Sequence, residues 1–257
     1  MIYTKNPAEI QLMRDAGKLL HEVLERLKEM IRPGVTTLEI DAEAEKLIRK
    51  AGAVPSFKGY NGFPFTICAS VDDMVVHGFA SDKPLKEGQI LSVDCGVILN
   101  GWQSDSAFTA PVGRISKDKE DLIRVTEECF WIGANLAREG NRIGDIGYAI
   151  QKHAESHGYG VIRDLTGHGI GTEMHEDPSV PNYGRPGRGV RLREGMTIAI
   201  EPMIAMGDWG VYVEDDGWTI RTDDHSVCSH YEHTIAVTKG DPEILSYPGC
   251  RLTEAMR

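Results

Sequence analysis

The chain has no long apolar run, no cysteine pair in a recognisable spacing and no excess of basic charge. Each absence removes a class of function. No stretch of its 257 residues approaches the ~20 apolar residues a membrane helix needs. The opening MIYTKNPAEIQLM lacks the apolar core of a secretory leader. Five cysteines (68, 95, 129, 228 and 250) show neither CxxC nor zinc-finger spacing, which predicts reduced, mostly buried thiols. Acidic residues outnumber basic ones, 39 to 28, for a formal charge of −11. That sign argues against a nucleic-acid substrate and leaves room only for a local basic patch. No low-complexity stretch or linker divides the chain. With 41% hydrophobic and 26% charged residues, the composition fits a cytoplasmic globular protein with a substantial core.

What is present begins with four helices. The first has Asn6 as N-cap and Pro7 at its first position, buries Ile10, Met13, Leu20, Leu24, Leu27 and Ile31, and ends at Pro33-Gly34. The second opens on a capping box, Thr36 to Glu39, and runs to Gly52. A third starts near Ser116 and carries Leu122, Val125, Cys129, Ile132 and Leu136 until Gly140. The fourth carries Ile146, Ala149, Ile150 and His153 until Gly158. Short β-rich segments fill the rest.

Two halves of the chain resemble each other. Leu85 to Asp94, LKEGQILSVD, matches Leu192 to Glu201, LREGMTIAIE, at an offset of 107 residues. Gly34, Ile40 and Gly52 match Gly140, Ile146 and Gly158 at an offset of 106. Landmarks recurring at nearly one offset predict an internal duplication, a pseudo-twofold α/β fold, and a site between the halves.

Each matched strand ends in an acid, and three more polar residues sit in similar surroundings. Asp94 lies in SVDCGV, Asp105 in WQSDSAFT, His168 in GHGIG, Glu201 in AIEPM and Glu232 in YEHTIAV. These segments are apolar or glycine-rich, and none contains Lys or Arg. A carboxylate buried there is costly by several kcal/mol, on the order that only a positive partner offsets. An oxygen-rich set with one imidazole suits hard or borderline divalent metals, and four carboxylates exceed what one such ion needs. The pattern therefore predicts a two-metal hydrolytic centre. Asn100-Gly101 adds a geometric test, because it predicts a two-residue type I′ hairpin. That register pairs Leu99 with Trp102 and Asp105 with Gly96. Asp94 and Asp105 become diagonal neighbours on one face, with open space expected over Gly96.

The motifs VVHGF at His77, SVDCGV, SDSAFTAPVG, TGHGIGTEMHEDP at His168 and His175, IAIEPM, DDGWT at Trp218 and YEHTIAVT resemble, in order, those of the type I methionine aminopeptidases. The likeness runs from Pro7 to about Pro248. It implies an α/β (α+β) pita-bread fold, with a curved antiparallel sheet covered by helices. One catalytic domain would span 1–257, with halves about 7–113 and 114–248. It also implies two divalent ions (cobalt, manganese, iron or zinc), bridged by Asp105 and Glu232. Asp94 would complete one site, His168 and Glu201 the other. Glu201 would shuttle the proton, His77 would lie near the scissile nitrogen, and His175 near the developing oxyanion. Phe57, Tyr60, Phe63, Cys68, Met174 and Trp218 would form the methionine pocket. The implied substrate is the initiator methionine of nascent chains with a small second residue. Transient ribosome association, a monomeric state and no membrane partner go with it.

Competing readings are an Xaa-Pro aminopeptidase or prolidase of the same fold, and a non-catalytic module that binds proteins. Those peptidases usually carry a further N-terminal domain, and intact ligands argue against the module. GHGIG is not a phosphate loop, since no GK[ST] follows. His225, Cys228, His230 and His233 fit no zinc spacing and are read as structural or surface residues, with His230 on Glu232's face near the site rim. Glu214-Asp215-Asp216 before Gly217 reads as a solvated turn.

Overall fold

The computed structural model describes residues 1–250 and 252, so the last residues of the expected domain, 251 and 253–257, lie outside the described residues. Helix α1 covers Pro7–Met30. The Asn6 side chain accepts from the Ala8 and Glu9 amides at 2.9 and 3.1 Å, while Glu9 accepts from the Asn6 amide at 2.8 Å. Helix α2 covers Thr37–Lys50 and opens on the same reciprocal box, between Thr36 and Glu39. Helix α3, Lys117–Ala134, stops short of the expected Gly140. Leu136 and Ala137 donate to carbonyls three residues back, and Glu139 then bonds Thr238, so the chain has already turned away. Helix α4 covers Ile143–Ser156 and starts where Asp145 accepts from the Arg142 amide at 2.7 Å.

A nine-stranded sheet carries these helices, with every neighbouring pair antiparallel. Its central path runs Ile90–Leu99, Trp102–Pro111, Glu232–Ala236, Thr197–Ile200 and Gly167–Gly169. The first two strands form the expected hairpin, pairing Leu99 with Trp102 and Gly96 with Asp105. Asn100 and Gly101 both have positive φ, 53° and 83°, as a type I′ turn demands.

One face of the sheet is covered by helices. Leu20, Leu24 and Leu27 of α1 and Ile40 and Ile48 of α2 pack with Leu91, Val93 and Val97. Leu122, Phe130, Ile146 and Ile150 from α3 and α4 pack with Ile198, Ile200 and Ile235. Each fully buried aliphatic side chain contributes about 1.5–3 kcal/mol. Because strand side chains alternate, residues between these point to the other face. Asp94 lies between Val93 and Cys95 for this reason.

Matched positions also make matched bonds. The Gly34 amide donates to Leu85 at 2.8 Å and Gly140 to Leu192 at 3.1 Å; Leu85 donates to Val35 and Leu192 to Asn141, both at 2.8 Å. Isolated bridges join Thr36 to Pro84 and Arg142 to Arg191. Gly88 and Gly195 of the two LxEG segments have φ of 91° and 84°. No helix among the described residues is long and apolar enough to cross a membrane.

Candidate metal centre

The uncovered face of the sheet concentrates acids. In register, Cys68, Asp94, Ala107 and Glu232 form one row across four strands. Asp105 stands two residues along from Ala107 and so shares its face. The small Ala107 side chain leaves room between the flanking carboxylates of Asp94 and Glu232. Asp105 is 4% exposed and Glu232 2%. Glu201 follows the strand Thr197–Ile200, and its carbonyl accepts from Asn182 Nδ2 at 2.8 Å. His168 enters from Gly167–Gly169, where its Nδ1 donates to the Gly169 carbonyl at 2.8 Å. A carbonyl can only accept, so the Nε2 lone pair faces the acids, 3.7 Å from Glu201 Oε1 and 3.9 Å from Asp105 Oδ2.

A cavity of about 270 Å³ opens over this row. All thirteen residues singled out in the sequence line it, and so does Asn61, which the sequence reading missed. Phe57, Tyr60, Phe63, Cys68, Met174 and Trp218 form its wall, with Phe63 and Trp218 edge to face at 5.2 Å. Asp216 lies in the exposed turn expected of it and also holds Trp218: its Oδ1 accepts from the Trp218 and Thr219 amides, each at 2.8 Å. His175 Nδ1 meets the Tyr60 hydroxyl at 2.8 Å, and its ring stands 4.4 Å from that of His168. Lys5, buried, pairs with Glu176 at 2.5 Å and braces the loop carrying Met174 and His175.

Two expectations need correction. The space over Gly96 is not open: a Cβ there would meet Ser56 Cβ at 2.8 Å and Phe57 Cε1 at 3.0 Å. Gly96 instead lets the pocket loop pack on the hairpin. His230 is not at the rim; it is 1% exposed and backs the acids, with Nε2 3.8 Å from Glu201 Oε2 and 3.7 Å from Glu232 Oε2. The strand changes sheets at Tyr231, but alternation had already put His230 on Glu232's face.

Electrostatics here are one-sided. Burial first, then the neighbouring acids, pushes Asp94, Glu201 and Glu232 well above the usual carboxylate range, and burial also raises Asp105. Burial and then His175 lower His168 and His77 to about 4, so both imidazoles are neutral at pH 7. Burial, then the charges of Asp94 and Asp105, raises the Cys68 thiol, which keeps it protonated. No Lys or Arg among the described residues lines the cavity. Asp94 Oδ1, Asp105 Oδ1 and Glu232 Oε1 are buried without a hydrogen-bond partner. Buried oxygens left over in this way fit bound cations. Donor atoms of Asp105, His168 and Glu232 lie within 4.8 Å of one another, as do those of Glu201, His230 and Glu232.

Fold and donor set together define a metal-site protein with an apolar antechamber. Residues 11–239 match the profile of metallopeptidase family M24. The chain belongs to that family, and so to proteins that hold divalent metal. It is 54% identical over 246 residues to a methionine aminopeptidase of Clostridium perfringens (strain 13 / Type A), covering 96% of this chain and 99% of that protein. The crystal structure of methionine aminopeptidase from Rickettsia prowazekii superposes with a TM-score of 0.95 at 42% identity, covering 96% of this chain and all of that one (100%). A Xaa-Pro dipeptidase from Bacillus anthracis matches with a TM-score of 0.77 at 26% identity, but only 63% of its chain is covered. The pita-bread architecture expected from the motifs is the fold these structures share.

Proposed function

We propose that this chain is a methionine aminopeptidase that removes the initiator methionine from nascent polypeptides with a small second residue. The row of unpartnered buried acids beside an apolar pocket carries that reading. Four carboxylates match the charge of two divalent ions (cobalt, manganese, iron or zinc), which Asp94, Asp105, His168, Glu201 and Glu232 would hold. Bound ions of this kind make water acidic enough to lose a proton near neutral pH and polarise a carbonyl.

The chain's own residues do the rest. Glu201 takes the proton from the attacking water and passes it to the leaving amine. Tyr60 donates to His175 Nδ1, which leaves the Nε2 proton for the developing oxyanion; such a donor is worth about 2.7–4 kcal/mol. Neutral His77 faces the scissile nitrogen. Its backbone sits at φ 58°, in the left-handed region. The wall from Phe57 to Trp218 takes an unbranched, polarizable side chain, with Cys68 and Met174 offering soft contacts.

The repeated bonds support one catalytic domain made of two copied halves, about 7–113 and 114–248. A cytoplasmic, monomeric enzyme meeting chains at the ribosome completes the proposal. The test is turnover of Met-Ala-Ser against Xaa-Pro peptides with each divalent ion added in turn. Hydrolysis of Met-Ala-Ser alone is expected; cleavage only before proline would replace this reading with a prolidase, and no cleavage at all with a binding module.

A further inference from the structure

His230 has no part in the chemistry above, yet it is buried directly behind it. Its Nε2 is buried with no hydrogen-bond partner, and it does not line the cavity. Its backbone is fixed on both sides: the amide donates to Thr109 Oγ1 at 3.0 Å, and the carbonyl accepts from the same hydroxyl at 2.8 Å. The oxygens around it divide cleanly. Glu201 turns Oε1 toward His168 and Oε2 toward His230. Glu232 leaves Oε1 unpartnered and likewise turns Oε2 toward His230.

We infer that His230 is a positioning residue of the metal centre. Its Nε2–H donates to the outer oxygens of Glu201 and Glu232 and so holds their inner oxygens toward the ions. The inference rests on the metal-dependent reading given above. At 3.7–3.8 Å the contacts lie beyond hydrogen-bond length, so the donation requires the carboxylates to turn toward the ring. Partners of ligating carboxylates typically change metal affinity by about 10–100-fold when removed. A glutamine amide reaches about as far as Nε2 and keeps an N–H; leucine fills similar space and offers none.

The test is manganese affinity, read by competition with a chromophoric chelator, for the wild-type protein, His230→Gln and His230→Leu. Leucine should weaken binding by about 10–100-fold, and glutamine by no more than a few-fold. Unchanged affinity in His230→Leu overturns the inference. A second measurement needs no variant: pulsed EPR of the manganese-loaded protein should show one directly coordinated imidazole nitrogen, from His168. Two such nitrogens would make His230 a ligand and overturn the positioning role. Should the wild-type protein bind no manganese, cobalt, iron or zinc, the metal-centre reading itself falls, a result distinct from the other two.

Discussion

Among the described residues, groups of three or more imidazole and carboxylate donors gather in two places, and they dispose of charge in opposite ways. On the surface of α3 and α4, donor atoms of Glu128, His153 and His157 lie within 4.8 Å of one another, as close as those of the buried centre. There Glu128 Oε2 meets His153 Nε2 at 2.8 Å, Oε1 takes Arg124 at 2.6 Å, and His157 Nδ1 donates to the His153 carbonyl at 3.0 Å. Water reaches all of them, and each of the three side chains has a protein partner. The row of Asp94, Asp105 and Glu232, with His168 beside it, has no basic neighbour among the described residues lining the cavity, and three oxygens left over. Proximity of donors is thus weak evidence for a metal. Burial without a partner is strong evidence, because the desolvation of those oxygens must be offset by something.

The comparison breaks first on removal of charge. Asp105→Asn should lower turnover of Met-Ala-Ser by about 10³-fold, since the metal's contribution of several kcal/mol scales at 1.36 kcal/mol per decade. Chelation should do the same to the unaltered protein and be reversed by added divalent ion. Glu128→Gln and His157→Ala should leave turnover within a factor of about two, as exposed substitutions usually do. A large loss from either surface change would erase the distinction.

A third imidazole sharpens it. His233 is buried like the centre but satisfied like the surface, bonded to Ser106 and Ser246 at 2.9 Å and to Tyr231 at 3.2 Å. Burial, then His21, lowers its pKa to about 3, against about 6.5 in an unfolded chain. The unfolded state therefore binds the extra proton. Stability is complete above pH 6.5 and is lost as pH falls toward 3. Between pH 7 and pH 5, urea denaturation should show a loss of about 2 kcal/mol that His233→Gln lacks. Equal slopes in the two proteins would remove His233 from the account.

Packing gives a smaller effect. Gly96→Ala forces a methyl group against Ser56 and Phe57, and overpacking of this kind costs about 1–3 kcal/mol. A thermal melt of the metal-loaded variant measures it, and an unchanged midpoint would mean that the loop yields freely.

Much of the architecture was legible because local chemistry and tertiary packing agree. Asn6-Pro7 and the Thr36–Glu39 box each fix a helix start through bonds the sequence spells out, and Asn100-Gly101 fixes the register of the hairpin. The acids were legible because alternation on a strand decides which face they share. Other features depend on contacts the sequence does not encode locally. The early end of α3 comes from Glu139 bonding Thr238, a residue distant in the chain. Filling of the space over Gly96 comes from a loop forty residues earlier, and the burial of His230 from a strand leaving one sheet for another. The turn at Asp216 is exposed, as a DG turn normally is; what the sequence did not show is that its carboxylate also holds the amide of a pocket aromatic.

That residue supplies the finest test of the contrast between satisfied and unsatisfied acids. Asp216 accepts three hydrogen bonds, from the Trp218 and Thr219 amides and from the Thr219 hydroxyl at 2.6 Å, so it needs no cation and has no place in the chemistry. Its effect must pass through Trp218, which packs on Phe63 at 5.2 Å and on His77 at 6.3 Å. Asp216→Ala frees the turn and loosens one wall of the pocket without touching the ligands. KM for Met-Ala-Ser should rise about 5- to 30-fold, the equivalent of losing one or two net hydrogen bonds at about 1 kcal/mol each, while kcat and manganese affinity hold. A fall in kcat with KM unchanged would instead tie this turn to the reacting groups, and the satisfied acid would then belong with the unsatisfied ones.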